Sequence, residues 1–442
     1  MPQSQLGEDS WHSLLISLLR GMAALQVAAA HLRAEFMPGL RSLEQPALWY
    51  QALAFLTGFA HQAVVVFFLI SGWLVGGSLL NKRTEPDAIK LYAIDRITRL
   101  WTVLLPTFLL ILALGILTGQ IDPRTADFSR DNPYSLTALV GNLAALQTIV
   151  VPQFGGNYPL WSLANEGWYY LLFPLLLTAA GGRQAHWPRW RWPQPPCCCR
   201  SNWCCTSSLW LMGAAFSRLR LECGAATRVA LLLVCGSLSV YYRLTGSNDG
   251  LVVASFGQDL LLSLPFMLFL SSTVVRPSPV IRLAPVRKFA NFFSDFSFTL
   301  YVVHVPLLGL VAWLGTTLLG TRTIGADHPL QLLVYAAILA LVVLLAYGFY
   351  RLFRSAYLPG AALAQASAAR ASARFARHVD EVRAQHRRHG HQQFAEQPWR
   401  PARRRASGGA SSKVWWRNTG VGQKTRSSCQ STRRTCWLRG LL

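Results

Sequence analysis

The sequence predicts an all-α, polytopic integral membrane helical bundle with about ten transmembrane helices. Of its 442 residues, 52% are hydrophobic and only 14% are charged, whereas soluble domains carry about 25% charged residues. The apolar residues also lie in blocks of about 20, the length that crosses a bilayer as a helix. A soluble helical protein is the alternative, and this hydropathy argues against it.

Nine apolar blocks divide the chain. The block at 136–151 is short for a full crossing, so we expect a re-entrant or interfacial piece there. The pattern breaks down between Gly182 and Thr227, where one further span is missing or disguised. In chain order the blocks cover residues 14–33, 57–80, 98–118, 136–151, 160–181, 227–244, 250–272, 296–320 and 329–353.

The loop between the second and third blocks is strongly basic. Basic residues flank membrane spans preferentially on the cytoplasmic side, so this loop is expected in the cytoplasm. Two spans precede it, which predicts a cytoplasmic N-terminus and places residues 34–50 and 119–135 outside. The loop at 81–99 contains Lys82, Arg83, Lys90, Arg96 and Arg99.

The C-terminal part of the chain differs in composition from the rest. From Arg370 to the end, 17 Lys and Arg stand against 3 Asp and Glu, which is +14 of the formal net charge of +23. We therefore predict a transmembrane domain over 1–355 and a basic, disordered tail over 356–442. The basic charge suits the cytoplasmic side or anionic lipids. Nucleic acid is not an expected partner, because no recognition motif accompanies the charge.

The stretch 182–226 is anomalous within the predicted domain. Its part "HWPRWRWPQPPCCCRSNWCC" lacks helical periodicity and is rich in Trp, Pro, Arg and Cys. The cysteine spacing is neither that of a zinc site nor an evident disulfide framework. With GC-rich codons, reading Arg191 to Arg200 from the third base gives Leu-Ala-Ala-Ala-Ala-Val-Leu-Leu-Pro, a plausible membrane segment. A frameshift is one hypothesis, and a divergent loop is the other.

Two ionisable residues share one face of the first predicted helix. Arg20 and His31 are 11 positions apart, which is three turns plus about 20°, or about 16 Å along the axis. An ionisable side chain inside a membrane requires a polar cavity or a partner. The alternative to a shared cavity is that each residue reaches water by itself. Arg20 would then extend its side chain to the membrane interface, and His31 would lie at a solvated interface. Their common face favours a lined cavity.

Two further stretches combine small or basic residues with helical spacing. Ser71 and Gly72 interrupt "VVVFFLISGWLVGG", where small residues allow close approach of a helix or of a ligand. Arg96 and Arg99 lie one turn apart at a helix start, an arrangement suited to binding phosphate. Ordinary flanking charge is the alternative interpretation of the two arginines.

Two stretches in the second half place polar groups within apolar runs. Glu166 follows "YPLWSLAN" at the start of a long apolar segment and requires a partner or water. The neighbouring Trp161, Trp168, Tyr169 and Tyr170 suggest an interfacial aromatic belt. In "FSDFSFTLYVVHVPLL", Tyr301 and His304 share a face, and Pro306 loosens backbone hydrogen bonding within the span. A packed, satisfied His304 is the alternative.

In order, these five stretches resemble the membrane acyltransferase 3 family, which includes bacterial O-acetylases of surface glycans. The resemblance spans about residues 14 to 353. The stretches are similar to the family's helix patterns as follows: "LRGMAALQVAAAHL" to Arg, ten residues, His; "VVVFFLISGWL" to F-F-x-x-S-G-[FW]; "DRITRLW" to R-x-x-R-[IL]; "PLWSLANEGWYYLLFPLLL" to W-S-L-x-x-E-x-x-[FY]-Y; and "SDFSFTLYVVHVPLL" to S-[YF]-[ST]-L-Y-x-x-H-x-P.

The resemblance implies transfer of an acyl group, usually acetyl, from cytoplasmic acyl-CoA to a hydroxyl of a cell-surface glycan or glycolipid. It also implies a bacterial inner membrane, with acyl-CoA as a donor substrate and without a bound cofactor or metal. His31 would act as general base, Glu166 would orient or stabilise a histidine, and Arg20 would bind the donor or stabilise oxyanion charge.

The remaining predicted site residues are assigned to substrate binding. Arg96 and Arg99 would hold the phosphates of CoA, and the others would line the same cavity. Those others are Ser71, Gly72, Trp161, Ser162, Tyr301 and His304.

Two other functions remain open at this stage. A transporter or flippase would use Arg20, His31 and Glu166 as a proton or substrate relay. That class typically shows internal repeats with paired broken helices, and the sequence shows none. An inactive remnant is the second alternative, suggested by the anomalous middle and tail.

Overall fold

The computed structural model describes residues 11–83, 85, 87–147, 149–180, 201–245, 253–274 and 284–353. Over these residues the chain forms helices joined by turns, with one isolated β-bridge between Gln147 and Val151, so the all-α prediction is confirmed. The helices are α1 (Trp11–Phe36), α2 (Leu48–Leu56), α3 (Ala60–Ser71), α4 (Gly77–Lys82), α5 (Ala88–Leu117), α6 (Leu136–Leu143), α7 (Leu160–Ala180), α8 (Ser201–Phe216), α9 (Ala225–Thr245), α10 (Val253–Ser272), α11 (Ala284–Leu319) and α12 (Gln331–Phe353).

Six of the described helical segments are long and apolar enough to cross a membrane, which confirms a polytopic membrane bundle. The predicted short block at 136–151 contains only the eight-residue α6, whose first turn is capped by Ser135 Oγ accepting from Ala138 N at 3.0 Å. The predicted tail 356–442 lies outside the described residues. The six segments are Trp11–Ser42, Leu48–Lys82, Ala88–Leu117, Ala225–Thr245, Pro285–Leu319 and Gln331–Phe353.

The first helix and α11 pack side by side at the centre of the bundle. A Cβ atom built on Gly21 would lie 2.6 Å from Cβ of Phe293, so the two helices approach this closely only because position 21 has no side chain. Ten residues further along α1, His31 meets His304 of α11. The two helices therefore run in the same direction, although almost the whole bundle separates them in sequence.

A second close contact joins α3 to α8. The helix of α3 continues through a π-helical turn, Gly72–Gly76, into α4. A Cβ atom on Gly72 would lie 1.9 Å from the carbonyl oxygen of Trp210 in α8. Gly72 thus allows two helices to pack backbone against backbone.

The helix α8 lies inside the stretch that the sequence marks as anomalous. The sequence left open whether a further helix is missing or disguised in this stretch, and Ser201–Phe216 is helical. Its buried Thr206 faces α7, where the hydroxyls of Tyr169 and Thr206 lie 2.5 Å apart. Residues 182–200 lie outside the described residues, so the frameshift remains a hypothesis for them.

A buried ionic contact ties α10 to the bundle. Nε2 of His61, near the start of α3, lies 2.6 Å from Oδ1 of Asp259 in α10. The Asp259 side chain is fully buried. A carboxylate at this depth requires a donor, and the imidazole provides one between two helices distant in sequence.

Candidate active site

Polar side chains from five helices form one band through the bundle, which we call the polar seam. On α7, Ser162, Glu166 and Tyr170 recur every four residues and therefore share a face. On α11, Tyr301 and His304 lie one turn apart on one face. The polar seam consists of Arg20, His31, Ser71, Arg99, Ser162, Glu166, Tyr170, Tyr301 and His304.

At one end of the seam, Glu166 is held by two hydroxyl groups. The hydroxyls of Ser71 and Tyr170 both donate to its Oε1 atom. The indole Nε1 of Trp210 donates to Ser71 Oγ at 3.2 Å, so a chain of hydrogen bonds runs from α8 through α3 to α7. Two donors converging on one oxygen suit an ionised carboxylate, which only accepts hydrogen bonds. The single proton of Ser71 is therefore committed to Glu166.

A cavity of about 90 Å³ opens beside Glu166. A single water requires about 10–15 Å³, so the cavity has room for several waters or for a small polar group. The guanidinium of Arg20 interacts electrostatically with the charged side chains of Arg99, Glu166 and Asp295. The polar lining includes Arg20, Ser71, Arg99, Ser162, Glu166 and Tyr301.

Tyr301 connects the cavity to the other end of the seam. Ser162 Oγ donates to the carbonyl oxygen of Pro159 at 3.0 Å. Since this uses the serine proton, the contact of 2.7 Å between Ser162 Oγ and Tyr301 OH has the tyrosine as donor. The Tyr301 and His304 ring centroids are 6.1 Å apart. The cavity and the histidine region are thus adjacent.

At that end, His31 and His304 form a hydrogen-bonded pair. His304 Nδ1 lies 3.0 Å from the carbonyl oxygen of Leu300. A carbonyl only accepts, so Nδ1 carries a hydrogen, and Nε2 of the neutral ring is an acceptor. His31 Nδ1, at 2.8 Å, therefore donates to His304 Nε2. It follows that the lone pair of His31 is on Nε2, which is the nitrogen of this ring that can accept a proton.

The ring of Tyr158 covers His31. The two centroids are 4.8 Å apart, with the planes at 76°, and Tyr158 itself is 43% exposed. Burial, and then the nearby Glu35 carboxylate, raise the pKa of Tyr158 to about 12. The phenol therefore stays protonated at physiological pH and is available as a neutral hydroxyl.

Comparison with known proteins identifies the family. A family model described as an acyltransferase domain, the acyltransferase 3 model, matches residues 15–351. The chain belongs to this acyltransferase family. No curated protein and no solved structure matches the chain significantly.

Eight of the eleven predicted site residues of this acyltransferase lie in the polar seam, and three lie elsewhere. Arg96 Nη2 pairs with Asp95 Oδ2 at 2.8 Å, and its guanidinium lies 5.7 Å from the Tyr92 ring centroid. Gly72 lies against α8, as described above. The Trp161 ring lies 6.0 Å from that of Phe68, among apolar side chains.

The aromatic residues of α7 contact other groups of the acyltransferase. The interfacial-belt interpretation is wrong for Tyr169, which is buried against Thr206, and for Tyr170, which donates to Glu166. Trp168 donates from Nε1 to the carbonyl oxygen of Ala145 at 3.0 Å.

The sequence analysis also missed Trp210 and Tyr158, whose partners Ser71 and His31 are more than 100 positions away. The sequence contains one indirect signal of a further residue near the site. Pro306 in a span leaves a backbone carbonyl of α11 without its helical donor, so another group must donate to that carbonyl.

Proposed function

We propose that this membrane acyltransferase is an O-acyltransferase of the bacterial inner membrane. It would move an acyl group, acetyl in the simplest case, from cytoplasmic acyl-CoA to a hydroxyl of a cell-surface glycan or glycolipid. The N-terminus is cytoplasmic in this proposal, so the arginine end of the seam faces the cytoplasm and the His31 end faces outward.

The observation that carries the proposal is the fixed tautomer of His31. The Leu300 carbonyl and His304 direct the lone pair of His31 to Nε2. In the reaction, Nε2 takes the proton of the acceptor hydroxyl, and the hydroxyl oxygen attacks the thioester carbonyl carbon. The carbon–sulfur bond then breaks, and the CoA thiolate leaves and receives the proton from the imidazolium. No proton is gained or lost overall.

The other end of the seam suits an anionic donor. Arg20 and Arg99 both line the cavity, where guanidinium groups bind phosphate or stabilise negative charge on a thioester oxygen. Glu166 partly balances their charge and holds Ser71 and Tyr170 in place.

The test is acetyl transfer from radiolabelled acetyl-CoA to an extract of surface glycans, in membranes that contain the chain. Replacing a general base typically costs about 10²–10⁴-fold in rate, so His31→Ala should reduce labelling of glycan by that factor. His328→Ala is the matched control, because His328 lies in an exposed loop between α11 and α12. Its labelling rate should equal that of the wild type.

Two results would contradict the proposal. Equal labelling by wild type and His31→Ala, both inserted in the membrane in equal amounts, would exclude His31 as the base. Absence of labelled glycan with every acceptor extract, together with acetyl-CoA-independent movement of a solute or lipid, would favour a transporter or flippase.

A further inference from the structure

Pro306 frees a backbone carbonyl in the middle of α11. Proline has no backbone N–H, so the carbonyl oxygen four residues earlier, on Val302, lacks its helical donor. The side chain of Asn157 fills that role, with Nδ2 2.9 Å from the Val302 oxygen. Both residues are fully buried. Because the carbonyl can only accept, the NH₂ group of Asn157 must face it.

This contact fixes the segment that carries Tyr158. Asn157 directly precedes Tyr158, and Pro159 follows it with its carbonyl accepting from Ser162 of α7. The segment 157–159 is therefore attached to α11 on one side of Tyr158 and to α7 on the other. Held in this way, the tyrosine ring lies over His31 although nearly half of its surface remains exposed.

A second property of Asn157 sets it apart from an ordinary packing residue. Its Oδ1 atom is buried and has no hydrogen-bond partner among the described residues. An unpaired buried acceptor is unfavourable, so the amide is held here by its single bond to Val302. Backbone hydrogen bonds hold the segment locally, since Asn157 N donates to Phe154 O and Leu160 N donates to Asn157 O. The side-chain amide of Asn157 adds the link from this segment to α11.

We propose that Tyr158 contacts the acceptor beside His31 and that Asn157 is the positioning residue that holds it there. The proposal rests on the proposed function. An exposed aromatic ring next to a general base offers a flat apolar face to a sugar ring, and its hydroxyl offers a donor or acceptor to the sugar hydroxyls. Correct placement of an acceptor hydroxyl at the base contributes directly to rate.

The first measurement separates the two substrates kinetically. We expect Tyr158→Ala to raise KM for the glycan acceptor by about 10-fold and to leave KM for acetyl-CoA unchanged. Asn157→Ala should raise the acceptor KM in the same direction, since it acts through Tyr158. In the double variant the effect of Asn157→Ala should disappear, because the side chain that it positions is already absent.

The second measurement does not depend on acyl transfer. Diethylpyrocarbonate modifies neutral imidazole nitrogens, and the labelling rate of His31 can be followed by mass spectrometry. We expect faster labelling of His31 in Tyr158→Ala and in Asn157→Ala, and the wild-type rate in Tyr158→Phe, which keeps the ring. If the wild type transfers no acetyl group but these labelling shifts occur, the positioning stands and only the proposed reaction fails.

Asn142→Ala is the matched structural control. Asn142 is also a buried asparagine of this region, but its side chain bonds Ala138, Pro152 and Phe154 rather than α11. It should lower thermal stability without changing the acceptor KM or the labelling of His31. The proposal is overturned if Asn157→Ala and Asn142→Ala behave alike in both measurements, or if the effect of Asn157→Ala persists in the Tyr158→Ala background.

Discussion

The two ends of the polar seam hold ionisable side chains inside the bundle in different ways. At the cavity end, Arg20, Arg99 and Glu166 place several full charges close together. At the other end, His31 and His304 are linked as neutral rings, and a backbone carbonyl sets their tautomers. The difference is consistent with the proposed roles, in which one end holds a charged ligand and the other end moves a proton.

The largest effect should follow from removing the carboxylate at the cavity end. Hydrogen bonds to a charged group contribute about 1.5–3 kcal/mol each, and Glu166 accepts two. We therefore expect Glu166→Ala to lower the free energy of unfolding by about 3 kcal/mol or more. The midpoint of thermal unfolding in detergent should fall by several degrees.

A conservative variant sharpens this prediction. In Glu166→Gln the amide oxygen still accepts from Ser71 and Tyr170, but the negative charge in the cavity that Arg20 and Arg99 also line is lost. Its thermal stability should lie close to that of the wild type, while its KM for acyl-CoA changes. An unchanged unfolding midpoint in Glu166→Ala would show that Glu166 does not hold this end of the seam together.

The next effect concerns the uncharged end. In His304→Ala, His31 loses the acceptor that fixes its tautomer, so we expect kcat to fall by about 10²-fold. In His304→Gln, the side-chain oxygen can accept from His31 Nδ1, which should restore part of kcat. If Gln and Ala at this position give the same kcat and pH profile, His304 does not act through the tautomer of His31.

The smallest expected effect is a difference in KM for acyl-CoA between variants of two arginines one turn apart. Arg99 lines the cavity, whereas Arg96 pairs with Asp95. The loss of a charge-assisted bond to a CoA phosphate should raise KM for acyl-CoA by about 10-fold in Arg99→Gln. Arg96→Gln should change KM for acyl-CoA by less than about 2-fold, because Arg96 pairs with Asp95 and does not line the cavity. Equal shifts in the two variants would contradict a donor site confined to the cavity.

The sequence predicted most of the helices because membrane spans have a strong apolar signal. It left α8 undecided between a missing and a disguised helix, because Thr206, Ser207 and Ser208 interrupt the apolar pattern. Thr206 lies in the interior and bonds Tyr169. With only 16 residues, α8 is also shorter than the apolar length by which a span is recognised.

The sequence predicted only those features of the site that depend on residues sharing a face of one helix. The 11-residue spacing of Arg20 and His31 placed them on the face that meets α11, and the i, i+3 spacing placed Tyr301 beside His304. Pairing between helices was not predictable, because nothing in a single sequence specifies which residue 273 positions away lies opposite His31. Asn157 was missed for the same reason.

The distance in sequence between His31 and His304 also matters during synthesis. The two residues are 273 positions apart, and at about 5–20 residues per second a ribosome needs roughly 15–55 s to cover that interval. Throughout this time the nascent chain contains His31 but not His304, whose ring sets the tautomer of His31. With His31 as the proposed base, a partly made protein lacks an oriented base, and catalytic competence is expected only when α11 has entered the bilayer.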